Sequence, residues 1–112
     1  GSAAWAIPWP CIHEFLGVVT RPRLYDPPTA MNVALAQVRS WCESPSLVLL
    51  HENLDYLATL SSMLTRSGVT GPRVHDARIA ALCISHGVDT ILTMDRDFSA
   101  FPELKVRTLP AG

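Results

Sequence analysis

Apolar residues along the chain occur in two patterns, a helical periodicity and short uninterrupted runs. Apolar side chains at i, i+3, i+4 and i+7 predict four helices. These are Cys11 to Thr20, a helix capped by Thr29 that ends before Ser44, a helix capped by Asn53 and closed by Gly68, and Ala77 to His86. Short apolar runs predict four strands, which are Ala3 to Ile7, Leu47 to Leu50, Thr90 to Met94 and Leu104 to Leu109. The long crossovers between strands indicate an α/β fold with a mainly parallel sheet flanked by helices.

The same spacing predicts which side chains of each helix face the core. The inward positions are Ile12, Phe15, Leu16 and Val19, then Met31, Ala34, Leu35, Val38 and Trp41, then Leu54, Leu57, Leu60 and Leu64, and finally Ile79, Leu82, Cys83 and His86. The run Leu47 to Leu50 is typical of a strand buried on both faces. Glu14 lies roughly 150° from the centre of the first apolar stripe, so periodicity alone makes it a solvated residue. His51 has no recognisable catalytic partner, and we expect a loop or core histidine there.

Three aspartates mark one edge of the predicted sheet. Asp76 opens the fourth helix, and Asp95 and Asp97 follow the strand Thr90 to Met94. A helix of ten residues and a strand of five are both about 15–17 Å long, so a helix-to-strand hairpin returns the chain to the level of Asp76. Open α/β sheets bind their ligands at that edge. One interpretation of these aspartates is that Asp76 caps the helix and that Asp95 and Asp97 form a turn. The other interpretation is that the three carboxylates together bind a divalent cation.

Two segments carry a resemblance to a known family. HDARIAAL, residues 75–82, and TILTMDRDF, residues 90–98, resemble the C-terminal half of a PIN domain, specifically a VapC-type toxin ribonuclease. In that family one conserved acid opens the helix, and others follow the next strand in a T-x-D-x-D-F pattern. The run Phe101 to Val106 continues the likeness. Residues 8–16, Pro-Trp-Pro-x-x-x-Glu-Phe-Leu, with Thr20-Arg21-Pro22, resemble the family segment that carries a second conserved acid.

The resemblance implies a metal-dependent endoribonuclease, the toxin of a type II toxin–antitoxin system in the bacterial cytoplasm. It implies that the catalytic residues, which would also bind Mg²⁺ or Mn²⁺, are Glu14, Asp76, Asp95 and Asp97. Candidates for contacts with the RNA backbone are Arg21, Arg23, Arg73, Arg78 and Arg96. The implied partners are the RNA substrate and a VapB-like antitoxin.

The family's first strand, which carries its first acid in a D-T-N or D-T-S pattern, has no counterpart in the sequence. We therefore expect residues 3–112 to form an N-terminally truncated, incomplete PIN-like domain after a tag remnant at Gly1 and Ser2. A missing central strand leaves buried backbone groups unpaired at about 1–3 kcal/mol each. We expect a complementing N-terminal fragment or a homodimer to complete the sheet. Without the first acid the chain should cleave RNA poorly. The alternative function is an inactive fragment or relative that binds an antitoxin or a complementary chain.

Composition is compatible with this interpretation. The 112 residues are 48% hydrophobic, which suits one small globular domain. Three cysteines without regular spacing favour reduced thiols in a cytosolic protein. The sequence has neither an apolar run of membrane-spanning length nor a secretory signal. The net charge is −1. Without the four acids of the candidate site, nine basic and six acidic residues give the rest of the chain a net charge of +3. Eight of those nine are arginine, which suits contacts with phosphate.

Overall fold

Helices and strands follow one another in the order that the sequence predicts. The computed structural model describes residues 5–22, 27–88, 90–93 and 98–108, with the backbone alone at 92, 93, 107 and 108. Its elements are β1 (Trp5–Pro8), α1 (Trp9–Val19), α2 (Met31–Cys42), β2 (Leu47–Leu50), α3 (Tyr56–Ser67), a 3-10 helix (Gly71–Arg73), α4 (Val74–Ser85), β3 (Thr90–Thr93) and β4 (Lys105–Thr108). The described strands pair as two parallel sheets, β1 with β2 and β3 with β4. The predicted α/β class is confirmed.

The chain divides into two compact units, Gly1–Leu50 and His51–Gly112. In the first unit β1 pairs with β2 from Trp5 opposite Leu47 to Pro8 opposite Leu50. Pro8 is the N-cap of α1 and Pro10 lies in its first turn, where a missing N–H costs nothing. Phe15 of α1 packs against Trp41 of α2, with ring centroids 4.8 Å apart. Among the described residues of this unit, the buried core consists of Ile12, Ala34, Val38 and Leu50.

Three predictions for the first unit are wrong. Helix α2 has Ala30 as its N-cap, without a side-chain cap, whereas the backbone N–H of Thr29 donates to the Val19 carbonyl. Met31 is 49% exposed because it is the first residue of α2 and precedes the residues of that helix that are buried. Strand β2 is not buried on both faces. Val48 is half-exposed, whereas Leu50, two residues on and on the same face, is buried, so that face is covered only at its carboxyl end.

In the second unit α3 packs against α4, which supplies most of the core. Six of the twelve residues of α4 are buried, Ala77, Ile79, Ala80, Ala81, Leu82 and Cys83. Met63 of α3 and the aromatic pair Phe98 and Phe101, with centroids 6.5 Å apart, complete the core together with Leu104. Strand β3 runs parallel to β4, from Thr90 opposite Lys105 to Thr93 opposite Thr108. Lys105 is exposed, which suits a strand at a sheet edge.

Helix α3 differs from its prediction at its start and in its buried face. It begins at Tyr56 after the N-cap Asp55, so Asn53 does not cap it. The Asn53 side chain instead forms a local turn, in which Oδ1 accepts the backbone N–H of Asp55 at 3.2 Å. Leu54 and Leu57, predicted to face the core, are fully and 70% exposed, and Met63 is buried in their place. The side of α3 that packs on α4 therefore passes through Met63.

The end of α4 confirms the predicted glycine stop. Gly87 has φ +76°, a left-handed conformation that only glycine adopts without a Cβ clash. The N–H of Gly87 donates to Ile84 and the N–H of Val88 donates to Cys83, which is the Schellman pattern of hydrogen bonds. Helix α4 thus stops at Ser85, with His86 as its C-cap, and not at the predicted His86.

Candidate functional site

Asp76 lies half-buried in the first turn of α4. The helix begins at Val74 and its N-cap is Arg73, so the predicted start at Ala77 and a capping role for Asp76 are wrong. The reason is the 3-10 turn Gly71–Arg73, which already winds the chain before the α-helix begins. A carboxylate in the first helical turn interacts favourably with the positive end of the helix dipole, by roughly 0.3–1 kcal/mol.

The other predicted ligands lie in different parts of the chain. Glu14 is exposed on α1, as periodicity predicts, and it belongs to the first unit, whereas Asp76 belongs to the second. The predictions for Asp95 and Asp97 fall outside the described residues. Within residues 5–22, 27–88, 90–93 and 98–108, no three His, Cys, Asp or Glu side chains are grouped so that they could hold a metal ion. The four-carboxylate site therefore stays a prediction.

The arginines predicted to contact RNA have different surroundings. Arg21 and Arg73 are exposed. Arg78, two residues after Asp76, has its Nη2 3.6 Å from Oε2 of Glu52, and about half of each side chain is exposed. An ion pair of that length and exposure contributes little to stability, because solvent screens it. Arg23 and Arg96 lie outside the part of the chain that the structure describes.

Tyr56 lies close enough to this ion pair to interact with it electrostatically. Burial raises the pKa of the Tyr56 hydroxyl above its ordinary value, the charge of Arg78 lowers it, and the charge of Glu52 raises it. A neutral phenol can donate a hydrogen bond, so the Tyr56 hydroxyl adds a donor beside a cation. Neither Glu52 nor Tyr56 was predicted from the sequence to lie near the site. The available signal was their position, since Glu52 lies two residues beyond the carboxyl end of β2 and Tyr56 opens α3.

The segment His51–Asn53, which follows β2, is attached to α4 by two hydrogen bonds. His86 Nε2 lies 2.6 Å from the backbone oxygen of His51, and Asn53 Nδ2 donates to the Ser85 oxygen at 3.0 Å. The ring of His51 stands nearly perpendicular to that of His86, with centroids 5.9 Å apart. Of the two alternatives predicted for His51, a loop or a core histidine, the structure shows the loop, because His51 is exposed and lies outside any helix or strand.

The thiols and the helices give two further findings. Cys11, Cys42 and Cys83 are not joined by disulfides, and Cys83 is buried in α4, so it serves as a core residue. No helix among the described residues is long and apolar enough to cross a bilayer.

Comparison with known proteins identifies the family. No protein-family model matches the chain. Three ribonucleases of Mycobacterium tuberculosis are similar to it. VapC37 is 31% identical over 103 residues, which are 92% of this chain and 71% of VapC37. VapC48 is 30% identical over 99 residues, covering 88% and 68% of the two chains. VapC33 is 28% identical over 105 residues, covering 94% and 73%. The resemblance inferred from the HDARIAAL and TILTMDRDF segments is thereby confirmed, and the chain belongs to the VapC family of PIN-domain ribonucleases.

Proposed function

We propose that this chain is the toxin ribonuclease of a type II toxin–antitoxin system and hydrolyses RNA phosphodiester bonds in the bacterial cytoplasm. The observation that carries the proposal is its 31% identity to ribonuclease VapC37 across 103 residues. A match over 103 of the 112 residues leaves out too few to exclude any of the candidate acids, which lie between residues 14 and 97.

The proposed catalytic and metal-binding residues are Glu14, Asp76, Asp95 and Asp97. Their carboxylate oxygens are hard donors, which fit Mg²⁺ or Mn²⁺ and do not fit soft metals. The bound ion would supply an activated water and neutralise charge on the phosphate. The chain's own contribution at Asp76 is a carboxylate held in the first turn of α4, a helix whose buried residues fix its position in the core. That rigid mounting suits a ligand that must keep one geometry.

RNA contacts are proposed for Arg21, Arg23, Arg73, Arg78 and Arg96. Arg21 and Arg73 are exposed and therefore accessible to phosphate. Arg73 and Arg78 lie on either side of Asp76 in the chain, and guanidinium groups pair with phosphate in a bidentate manner. Such contacts would position the RNA backbone without selecting a sequence.

Two kinds of protein partner belong to the proposal. One is a VapB-like antitoxin. The other is a strand that completes the sheet, supplied by a complementing N-terminal fragment or by a second copy of the chain. Its support is that the described strands form two sheets of two strands each. Mass spectrometry of the intact sample, together with its molar mass in solution, tests the second partner. A monomer of 112 residues that refolds reversibly and binds no further chain would contradict it.

Metal binding at Asp76 is tested with Mn²⁺, whose paramagnetism broadens the NMR signals of nearby amides. We expect broadening in the first turn of α4, with at least about tenfold weaker binding in Asp76→Asn, because a hard-donor site loses a charged ligand. Asp55→Asn is the matched control, since Asp55 is another aspartate at the start of a helix and its side chain forms no cap hydrogen bond. Equal broadening in Asp76→Asn would remove Asp76 from the site.

RNA cleavage is tested on the same three proteins. We expect slow cleavage that EDTA abolishes, that Asp76→Asn lowers at least about a hundredfold, and that Asp55→Asn leaves unchanged. Cleavage that persists in EDTA, or that Asp76→Asn leaves intact, would contradict a metal-dependent nuclease. The alternative function, metal-independent binding of an antitoxin, would instead survive the Asp76→Asn substitution.

A further inference from the structure

His51 and His86 form a pair at the end of α4 that is remote from Asp76. Their ring centroids are 5.9 Å apart and their planes meet at 75°. His51 is exposed and His86 half-buried, so both rings are accessible from water. Ten residues of chain wound mainly as α-helix separate Asp76 from His86, a distance of about 15 Å. The pair therefore lies at the opposite end of α4 from Asp76.

One ring nitrogen of each histidine is committed to a backbone carbonyl. His51 Nδ1 lies 3.0 Å from the oxygen of Glu52, and His86 Nε2 lies 2.6 Å from the oxygen of His51. A carbonyl oxygen only accepts hydrogen bonds, so each of these nitrogens must carry the proton. In the neutral imidazoles the remaining nitrogens, Nε2 of His51 and Nδ1 of His86, are consequently left with a lone pair.

This arrangement is the one that metal-binding histidines use. A ligating imidazole almost always donates its other N–H to a backbone carbonyl or a carboxylate, which fixes the tautomer and orients the ring. With metal–nitrogen bonds of 2.0–2.1 Å, two imidazoles on one tetrahedral ion have centroids about 5 Å apart. The observed separation of 5.9 Å is within 1 Å of that value.

We propose that His51 and His86 bind a borderline transition-metal ion, Zn²⁺ in the first instance, with water completing its coordination. The described residues offer no third His, Cys, Asp or Glu ligand, so the site has two protein donors. Imidazole nitrogen selects Zn²⁺, Ni²⁺ or Cu²⁺, whereas the carboxylates proposed for the catalytic site select Mg²⁺ or Mn²⁺. The two proposed sites thus differ in their donor atoms and in the metal that these select.

A bound ion would strengthen the link between the His51–Asn53 segment and α4. Two hydrogen bonds already join this segment to the end of the helix, His86 to His51 and Asn53 to Ser85. A metal held by one ligand from each side adds a third connection. Because it binds the folded state alone, the ion raises the unfolding temperature as its concentration rises.

The test is a calorimetric titration of the chain with ZnCl2 in excess Mg²⁺, which occupies hard-donor sites. We expect one Zn²⁺ per chain, binding at least about tenfold weaker in His51→Ala, and unchanged binding in Asp76→Asn. His13→Ala is the matched control, because His13 is another exposed histidine next to an aromatic ring, that of Trp9. His51→Ala is chosen over a His86 variant because the His51 ring donates only to its neighbour's carbonyl, and circular dichroism checks that it folds.

The ring nitrogens give an independent readout. In ¹⁵N spectra of the histidine side chains, Zn²⁺ should shift Nε2 of His51 and Nδ1 of His86 and leave His13 and His75 in place. Three results would overturn the proposal: no Zn²⁺ binding by the parent chain, equal binding by His51→Ala, or loss of binding in His13→Ala. Since Asp76→Asn is expected to keep the Zn²⁺ site, failure here leaves the nuclease proposal intact.

Discussion

The side-chain amide of Asn53 donates a hydrogen bond of 3.0 Å to the carbonyl oxygen of Ser85, the last residue of α4. The last four carbonyls of a helix have no partner within the helix. Asn53 satisfies one of them from outside, and its Oδ1 meanwhile accepts the N–H of Asp55 just before α3. One side chain therefore connects the approach to α3 with the end of α4.

Asn53→Ala should lower the free energy of unfolding by about 1–2 kcal/mol, because two hydrogen bonds are lost and the Ser85 carbonyl is left to water. Urea denaturation measures the change. Asn32→Ala is the control, since Asn32 is an exposed asparagine inside α2. There we expect no loss, or a slight gain from the helix propensity of alanine. Equal losses in the two variants would mean that the bond to Ser85 contributes nothing.

The buried face of α3 is tested by a pair of substitutions in the same helix. Met63 is 2% exposed and Leu57 is 70% exposed, the reverse of what leucine spacing predicts. Met63→Ala should cost about 2–5 kcal/mol by removing buried methylenes and leaving a cavity. Leu57→Ala should change stability by no more than about 0.5 kcal/mol. Thermal and urea denaturation of both variants check this, and a larger loss for Leu57→Ala would restore the leucine face.

Element order was predictable because it depends on local signals. Gly87 illustrates this, since its left-handed conformation and two hydrogen bonds complete a helix stop that the sequence alone predicts. The inward face of α3 was not predictable. Helix α3 has two apolar faces, one with the predicted leucines and one with Met63. Packing against α4 decides which of these two faces is buried. Ala77 and Ala80 are fully buried, yet alanine adds little to an apolar pattern.

The candidate site divides in the same way. The sequence placed Asp76 at the start of the fourth helix, and the structure puts it in that helix's first turn. The contacts of Glu52 with Arg78 and of His51 with His86 were not predicted. They join residues far apart in the chain, 35 positions in the histidine case, and no local spacing encodes such a contact. Long-range polar contacts of this kind follow from how the segment His51–Asn53 lies against α4.

Tyr56 gives the chain a pH dependence at the alkaline end. Burial raises its pKa in the folded protein above the ordinary value of 10.0. As the pH rises through about 10, the unfolded chain loses the Tyr56 proton before the folded protein does. The contribution of Tyr56 to stability is therefore fully present below about pH 10. It decreases above that pH until the folded pKa is passed. Tyr56→Phe should remove that part of the alkaline decline, measured by urea denaturation at about pH 9 and about pH 11.

Tyrosinate absorbance checks the same assignment directly. The chain has two tyrosines, Tyr25 and Tyr56. Tyr25→Phe should leave a single titration above the ordinary tyrosine range, and that titration should be absent from Tyr56→Phe. If the titration remaining in Tyr25→Phe matches free tyrosine, the burial of the Tyr56 hydroxyl has no effect on its pKa.

Gly87 and Gly17 form a matched pair in which the same substitution should have opposite effects. A Cβ added at either position meets no atom within 4 Å, so backbone conformation alone decides the outcome. Gly87 has φ +76°, where alanine costs about 1–2 kcal/mol. Gly17 lies inside α1, where alanine is about 0.5–1 kcal/mol more favourable than glycine. Thermal denaturation should therefore show a lower unfolding temperature for Gly87→Ala and a higher one for Gly17→Ala. A neutral Gly87→Ala would mean that the end of α4 does not require the left-handed turn.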